Sequence, residues 1–304
     1  MDCNCKNVKF WMGLGLGAVL GMAVYPDFNL NSPRELDTQS LATLQNLGYE
    51  MGSDAYNTVK QNLQLNMWAN KAITESYIPG STFKVITASM ALEEAVVTLD
   101  MKNNCNGFSL VSGQRIHCHK VRGHGELTFA EGIQQSCNPW LMRVGLSLGR
   151  NTFYNYLKAF GYLEKTGIDL PGEGGGVFAA QEAFTDLDLA IYAFGQNFNV
   201  TLIQQITAVS AVANGGYLVT PHIVSEMRDS EGNVVYSFDE MLNVPKTIKA
   251  VLDEYCFIAL PAVEKKLVSK IDGTVKYLFR LHDGEFIESV FMRSEHGNTI
   301  CVSS

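Results

Sequence analysis

Apolar positions are unevenly distributed along this chain, and their spacing divides it into elements. From Gly17 to Tyr25 they run almost unbroken and stop at Pro26-Asp27, which predicts a short buried strand. Residues 30–77 are polar and read as irregular. After the turn at Pro79-Gly80, Ser81 opens a run in which Phe83, Val85, Ile86, Ala88, Met90, Ala91, Leu92 and Ala95 leave hardly any polar face, the pattern of a buried helix. Residues 104–125, rich in Gly, Cys and His, read as a loop or hairpin. Leu127–Leu148 reads as helix with a break at Ser136-Cys137-Asn138-Pro139, and residues 185–215 as helix ending at Asn214-Gly215-Gly216. A glycine-rich turn falls at Gly172–Gly176. Strands are expected at 217–224 and 234–236, flanking a turn at 230–233. Beyond about residue 236 Lys and Glu become frequent. Helical spacing at 244–253 is followed by a meander over 268–291, with Asp-Gly turns at 272–273 and 283–284, so a boundary is expected near 236. No internal repeat is visible.

Composition narrows the picture. The 304 residues are 46% hydrophobic and 18% charged, enough for a sizeable core and incompatible with global disorder. A net charge of −8 argues against general binding of nucleic-acid backbones, and no nucleic-acid partner is expected. Phe10–Tyr25 is sixteen uncharged residues preceded by Lys6 and Lys9. It reads either as a signal or weak anchor segment or as a strand. It is shorter than the ~20 residues of a spanning helix, and Gly13, Gly15, Gly17 and Gly21 weaken it as one.

Ser81-Thr82-Phe83-Lys84 places a hydroxyl and an amine three residues apart, on one face of the predicted helix start. A serine becomes nucleophilic when a base takes its proton. A lysine serves as that base when burial and the positive end of a helix lower its pKa, and the same helix end can hold a developing oxyanion. Ser136-Cys137-Asn138 follows 55 residues after Ser81. Its Ser and Asn read either as a helix cap or as a second proton-relay and carbonyl-binding pair.

Taken with their flanks, these segments resemble a known family. Tyr77 to Lys84, Gly123 to Asn138, Tyr25 to Asn31, Lys165 to Glu173, Phe194-Gly195-Gln196 and Ala213 to Gly216 are similar to the class B D,D-transpeptidases among the penicillin-binding proteins, in the sporulation and cell-division group. The resemblance spans residues 17–236. It implies an α+β fold of the penicillin-binding-protein/β-lactamase type, with helices around an antiparallel sheet. It implies Ser81 as acyl nucleophile, Lys84 as base, and Ser136 and Asn138 in proton relay and substrate contact. The implied substrate is the D-Ala–D-Ala end of a peptidoglycan stem peptide. β-Lactams are implied as acylating agents, a division or sporulation complex as partner, and the extracytoplasmic face of the cell membrane as location. Gly17–Tyr25 matches the family's first transpeptidase strand, which favours the strand over the anchor and leaves residues 1–16 as a divergent segment.

The family's third motif, Lys-Thr/Ser-Gly on a strand edging the site, is not supplied. Lys165-Thr166-Gly167 follows Asn138 by only 27 residues and runs into Ile168-Asp169-Leu170-Pro171-Gly172, a separate feature of the family. The central sheet is therefore expected to be incomplete and activity reduced or absent. Residues 237–304 resemble something else. Ser237 to Met241, Val244 to Lys246, Val268 to Val290 and Thr299 to Ser304 are similar to the N-terminal part of the radical S-adenosylmethionine RNA adenine-C2 methyltransferases, expected here as a small α+β accessory domain. The cysteine triad that holds the iron–sulfur cluster of that family is absent, so no cofactor is expected. The chain reads as a chimera of two truncated enzymes joined near 233–240. The alternatives to a transpeptidase are a non-catalytic remnant or an RNA-binding tail.

Seven cysteines occur without a CxxC pair. Cys105 and Cys118, thirteen apart, bracket a loop before the second motif and are expected to form a redox-sensitive pair in an exported chain. Cys105, His117, Cys118 and His119 are zinc-ligand types, but their spacing fits no common site, and no metal is expected.

Overall fold

The computed structural model describes residues 17–25, 27–214 and 216–237, together with the backbone of strands at 9–12, 246–247, 264–271, 274–280, 286–293 and 299–303. The described residues of the uncharged N-terminal run include strand. β1 (Lys9–Met12) pairs antiparallel with β2 (Val19–Ala23), Phe10 opposite Met22. The expected strand is present but not buried, since Leu20 is 75% exposed. Its base is tied to a distant segment: Val19 donates to the His222 carbonyl at 2.8 Å and His222 to that of Gly17 at 2.9 Å. Among the described residues no helix is long and apolar enough to cross a membrane.

Residues 30–77 are not irregular. They hold α1 (Thr38–Asn46), α2 (Asp54–Trp68) and α3 (Lys71–Thr74), followed by β3 (Ser76–Tyr77). Each helix starts at a side-chain cap: Asp37 accepts from Gln39 and Ser40, Ser53 from Tyr56, and Asn70 from Ala72. α1 buries only Leu44 and α2 only Met67. Two helices so poorly buried carry almost no apolar period, so the caps were the legible signal.

The core forms where the apolar run was expected. A 3-10 turn at Gly80–Phe83 leads into α4 (Lys84–Glu93). Four short strands follow, β4 (Lys102–Cys105), β5 (Phe108–Val111), β6 (Gln114–His117) and β7 (Gly125–Thr128). β5 and β6 form a hairpin nested inside the β4–β7 pair. α5 (Phe129–Gln134) and α6 (Asn138–Leu148) are separated by the expected break, although Leu127 lies in β7 rather than in a helix. α7 (Arg150–Ala159) and α8 (Asp186–Tyr192) come next, then β8 (Val200–Thr201), which pairs with β3, and α9 (Leu202–Ala213). The helix expected over 185–215 is thus two helices. Gly195 (φ +88°) and Asn197 (φ +68°) take left-handed backbone that no helix continues through. α4 packs against α6 and α9.

Seven rings fill the space behind Ser81: Phe83, Phe153, Tyr162, Phe178, Phe184, Tyr192 and Phe198. Phe83 meets Phe198 edge-on at 4.8 Å between centroids and Tyr162 at 5.4 Å, and such contacts each add roughly 0.5–1.5 kcal/mol beyond area burial.

After α9 come β9 (Tyr217–Leu218) and the hairpin β10 (Glu226–Arg228)–β11 (Val234–Ser237). The strand expected over 217–224 stops at Leu218. The amides of Ile223 and Val224 donate instead to the two carboxylate oxygens of Asp169 at 2.8 Å. β9 pairs with β12 (Lys246–Thr247), so these two residues are strand where helical spacing was read; the rest of 244–253 lies outside the described residues. β13 (Glu264–Ile271), β14 (Thr274–Arg280), β15 (Phe286–Arg293) and β16 (Thr299–Ser303) form a four-stranded antiparallel meander. The turns expected at 272–273 and 283–284 lie outside the described residues. Among the described residues of 17–237 the strands form pairs only. The fold is α+β.

Candidate active site

Ser81 lies on the 3-10 turn and is exposed; Lys84 is the first residue of α4 and only 3% exposed. The turn is held from below. Phe83, wholly buried in the ring cluster, anchors it to the core. Gly80 donates to the Gly195 carbonyl at 2.8 Å. Thr87, one turn further along α4, donates to the Ala193 carbonyl at 2.9 Å. The Ser81 turn is therefore fixed from α4 on one side and from the 193–195 break on the other.

The second segment enters from between α5 and α6. Ser136 has φ +53°, a left-handed conformation uncommon for a residue with a side chain. Amide hydrogen bonds from Ser136 to Ile133 (2.9 Å) and from Cys137 to Gly132 (2.8 Å) hold it there. Backbone strain kept by surrounding structure is characteristic of functional positions. Its effect here is to turn the Ser136 hydroxyl toward both members of the first motif.

The Lys84 ammonium donates to the Ser136 carbonyl (2.7 Å), the Ser136 hydroxyl (2.8 Å) and Asn138 Oδ1 (2.7 Å). The Ser136 hydroxyl donates to Ser81 Oγ at 2.8 Å. Asn138 Nδ2 reaches the His117 carbonyl at 3.4 Å. All four expected site residues, Ser81, Lys84, Ser136 and Asn138, converge. Burial pushes the Lys84 amine down to about 8, against a smaller upward pull from Cys118 and Cys137. An amine so lowered can hold or release a proton near neutral pH.

Lys165-Thr166-Gly167 is occupied elsewhere. The Glu173 carboxylate accepts from the Thr166 amide (2.6 Å), the Thr166 hydroxyl (2.7 Å) and the Gly167 amide (3.0 Å). Lys165 and Thr166 line a cavity of about 230 Å³ with Gln204, Thr207 and Thr220, and none of the four converging residues lines it.

Cys105 and Cys118 come together as free thiols, and two residues that sequence reasoning missed join them. Donor atoms of Cys105, Cys118, His124 and Cys137 all lie within 4.8 Å of one another. His117 and His119, considered as ligands from the sequence, are not members. His117 offers its carbonyl to Asn138, and His119 Nδ1 stands 3.8 Å from Cys118 Sγ. Burial pushes the Cys137 thiol up. Burial, together with the charges of His119, Lys120 and Lys84, pushes His124 down. For Cys105 burial acts upward, but hydrogen bonds from the backbone of Gly107 and His124 and from the Cys137 and Cys118 thiols outweigh it and lower the thiol. The missed signal was Cys137 itself, at the centre of the second motif.

Residues 16–254 match the penicillin binding protein transpeptidase domain family. Stage V sporulation protein D of Bacillus subtilis is 39% identical over 214 residues, 70% of this chain and 29% of that protein. The tail is similar to a different protein. The probable dual-specificity RNA methyltransferase RlmN of Clostridium tetani is 51% identical over 70 residues, 23% of this chain and 20% of that protein. The chain thus spans less than a third of the length of either relative. Among solved structures, the D,D-transpeptidase domain of a peptidoglycan glycosyltransferase from Eggerthella lenta superposes with a TM-score of 0.65 at 17% identity, covering 98% of this chain and 72% of that one. The transpeptidase match takes in both converging motifs and every element that positions them, and on it the chain belongs to the penicillin-binding protein transpeptidase family.

Proposed function

We propose that residues 17–236 carry serine acyl-transfer chemistry of the D,D-transpeptidase type. One observation carries the reading: an unbroken path from an exposed serine through Ser136 to a buried lysine, with both links at 2.8 Å. With Lys84 neutral, the two hydroxyls rotate so that Ser81 donates to Ser136 and Ser136 to Lys84 Nζ. Ser81 Oγ then attacks the carbonyl of the penultimate D-Ala of a stem peptide as its proton passes through Ser136 to Lys84. Collapse of the tetrahedral intermediate forms the Ser81 ester and releases terminal D-Ala, whose nitrogen takes the proton back from Lys84. An acceptor amine, or water, then attacks the ester. A β-lactam enters the same first step and remains attached. Asn138 holds Lys84 Nζ with its oxygen, which fixes the amine beside Ser136.

By the same family reading the stem peptide and β-lactams are the ligands, a division or sporulation complex the setting, and the extracytoplasmic face of the membrane the location.

Intact mass after incubation with benzylpenicillin tests the reading. The expected result is one covalent adduct on the full chain, absent from Ser81→Ala. A folded chain that forms no adduct would make it a non-catalytic relative of the family.

A further inference from the structure

Four side chains with metal-ligating atoms meet behind the Ser136–Asn138 turn, and they come from four places in the fold. Cys105 ends β4, Cys118 follows β6, His124 precedes β7, and Cys137 stands at the start of α6 without capping it. All four donor atoms lie within 4.8 Å of one another, and Cys118 Sγ is 3.6 Å from His124 Nδ1. Tetrahedral zinc, with bonds of ~2.3 Å to sulfur and ~2.0–2.1 Å to nitrogen, sets sulfur–nitrogen edges of about 3.6 Å and sulfur–sulfur edges of about 3.8 Å. The three cysteines are 0–3% exposed.

The surrounding backbone is shaped to bring them together. Gly107 and Gly123 have φ of +86° and +82°. A Cβ on the first would lie 2.0 Å from the Val121 carbonyl oxygen, and one on the second 2.1 Å from that of Cys105. Cys118 donates its amide to the Gly107 carbonyl at 2.8 Å. Three thiols and one imidazole make a closed, soft donor set with no position left for substrate. That set selects zinc over magnesium or calcium and suits a structural ion rather than a catalytic one.

We propose that this chain binds one structural zinc ion through Cys105, Cys118, His124 and Cys137. Each coordinating thiol gives up its proton and the imidazole binds neutral, with no change of oxidation state. Cys137 is covalently between Ser136 and Asn138, so the ion ties the second motif to the β4–β7 strands. Zinc binding does not rest on the acyl-transfer reading.

The test is metal content of the full chain, purified under reducing conditions without chelator, by elemental mass spectrometry and native mass. The expected result is one zinc per chain, released by a mercurial thiol reagent, lost in Cys105→Ser and Cys137→Ser, and kept in His119→Ala. Cobalt(II) in place of zinc should show thiolate charge-transfer absorption. Because losing the metal can also cost the serine variants their fold, the zinc content and cobalt spectrum of the unmodified chain decide by themselves. Less than a tenth of an equivalent after reduction and incubation with zinc would overturn the proposal. So would a disulfide between any two of the three cysteines that reduction fails to convert into a zinc-binding form. A penicillin adduct without zinc defeats this inference alone; zinc without an adduct defeats the acyl-transfer reading alone.

Discussion

Gly195 accepts the Gly80 amide at 2.8 Å, and a Cβ on Gly195 would fall 1.9 Å from the Gly80 carbonyl oxygen. The residue before Ser81 is thus packed against a position where only glycine fits. Gly195→Ala should push the Ser81 turn outward while leaving most of the core intact. A misplacement of about 1 Å at a reacting group costs on the order of 10²-fold in rate. The expected outcome is a loss of that size in the rate of β-lactam acylation, read by stopped intact-mass time courses, with a folded circular dichroism spectrum. An unchanged rate would mean that the Gly80–Gly195 contact does not position Ser81.

The Lys84 amine sets a pH dependence. As base it acts neutral, and with its pKa near 8 about a tenth of it is neutral at pH 7. Acylation should rise about tenfold from pH 6 to 7 and level off above 8. Cys118, Cys137 and His124 face it and belong in the interpretation of any second inflection. For stability the sign is fixed by the lowered folded value. Between about 8 and 10.5 the unfolded chain binds more protons, so this group's penalty is full below 8 and is relieved as pH rises through that window. Lys84→Arg, which stays protonated, should abolish acylation; an active Lys84→Arg would remove lysine from the base role.

Ser136→Ala should break the path between Ser81 and Lys84 and lower acylation by about 10²–10⁴-fold, the usual range for a lost proton-transfer group. Ser136→Gly is the companion variant, because glycine accepts the left-handed backbone at this position. Equal losses in both variants assign the effect to the hydroxyl. A loss confined to Ser136→Ala assigns it to the backbone.

Phe83→Ala removes the wholly buried ring between the two motif residues. A cost of about 3–5 kcal/mol is expected in denaturant unfolding. Glu173→Gln offers the contrast: it weakens the three hydrogen bonds that hold Thr166 and Gly167. A stability loss of about 1–3 kcal/mol should follow, with acylation within twofold of the unmodified chain. A large loss of acylation would instead place Lys165-Thr166-Gly167 in the machinery.

How legible all this was from sequence differs by region, for physical reasons. Ser81, Lys84, Ser136 and Asn138 could be picked out because each sits in a short segment whose flanks carry a family pattern. The break between α5 and α6 was readable from Asn138-Pro139 next to a serine. α1 and α2 were not, because they bury one side chain each and leave no period. The interruption between α8 and α9 was hidden because Phe194, Phe198 and Val200 keep the segment apolar while Gly195 and Asn197 turn its backbone. The cysteine group was half visible. Cys105 and Cys118 could be paired by proximity in sequence, but Cys137 was read as part of a motif and His124 as part of a flank. Only folding β4 onto β7 puts the four side by side.

The hydrogen-bonded path from Ser81 to Lys84 runs through Ser136, 55 positions beyond Ser81 in the chain. Ser81 and Lys84 are local to one turn, but their connection is not. A nascent or nicked chain that holds residues 77–93 and lacks 136 therefore has both reactive groups and no route between them. On the proposed chemistry, covalent labelling by penicillin measures tertiary structure: the fraction of chains that take the label counts those in which α6 has docked against α4. Followed during refolding, the same reaction times that docking step without any added probe.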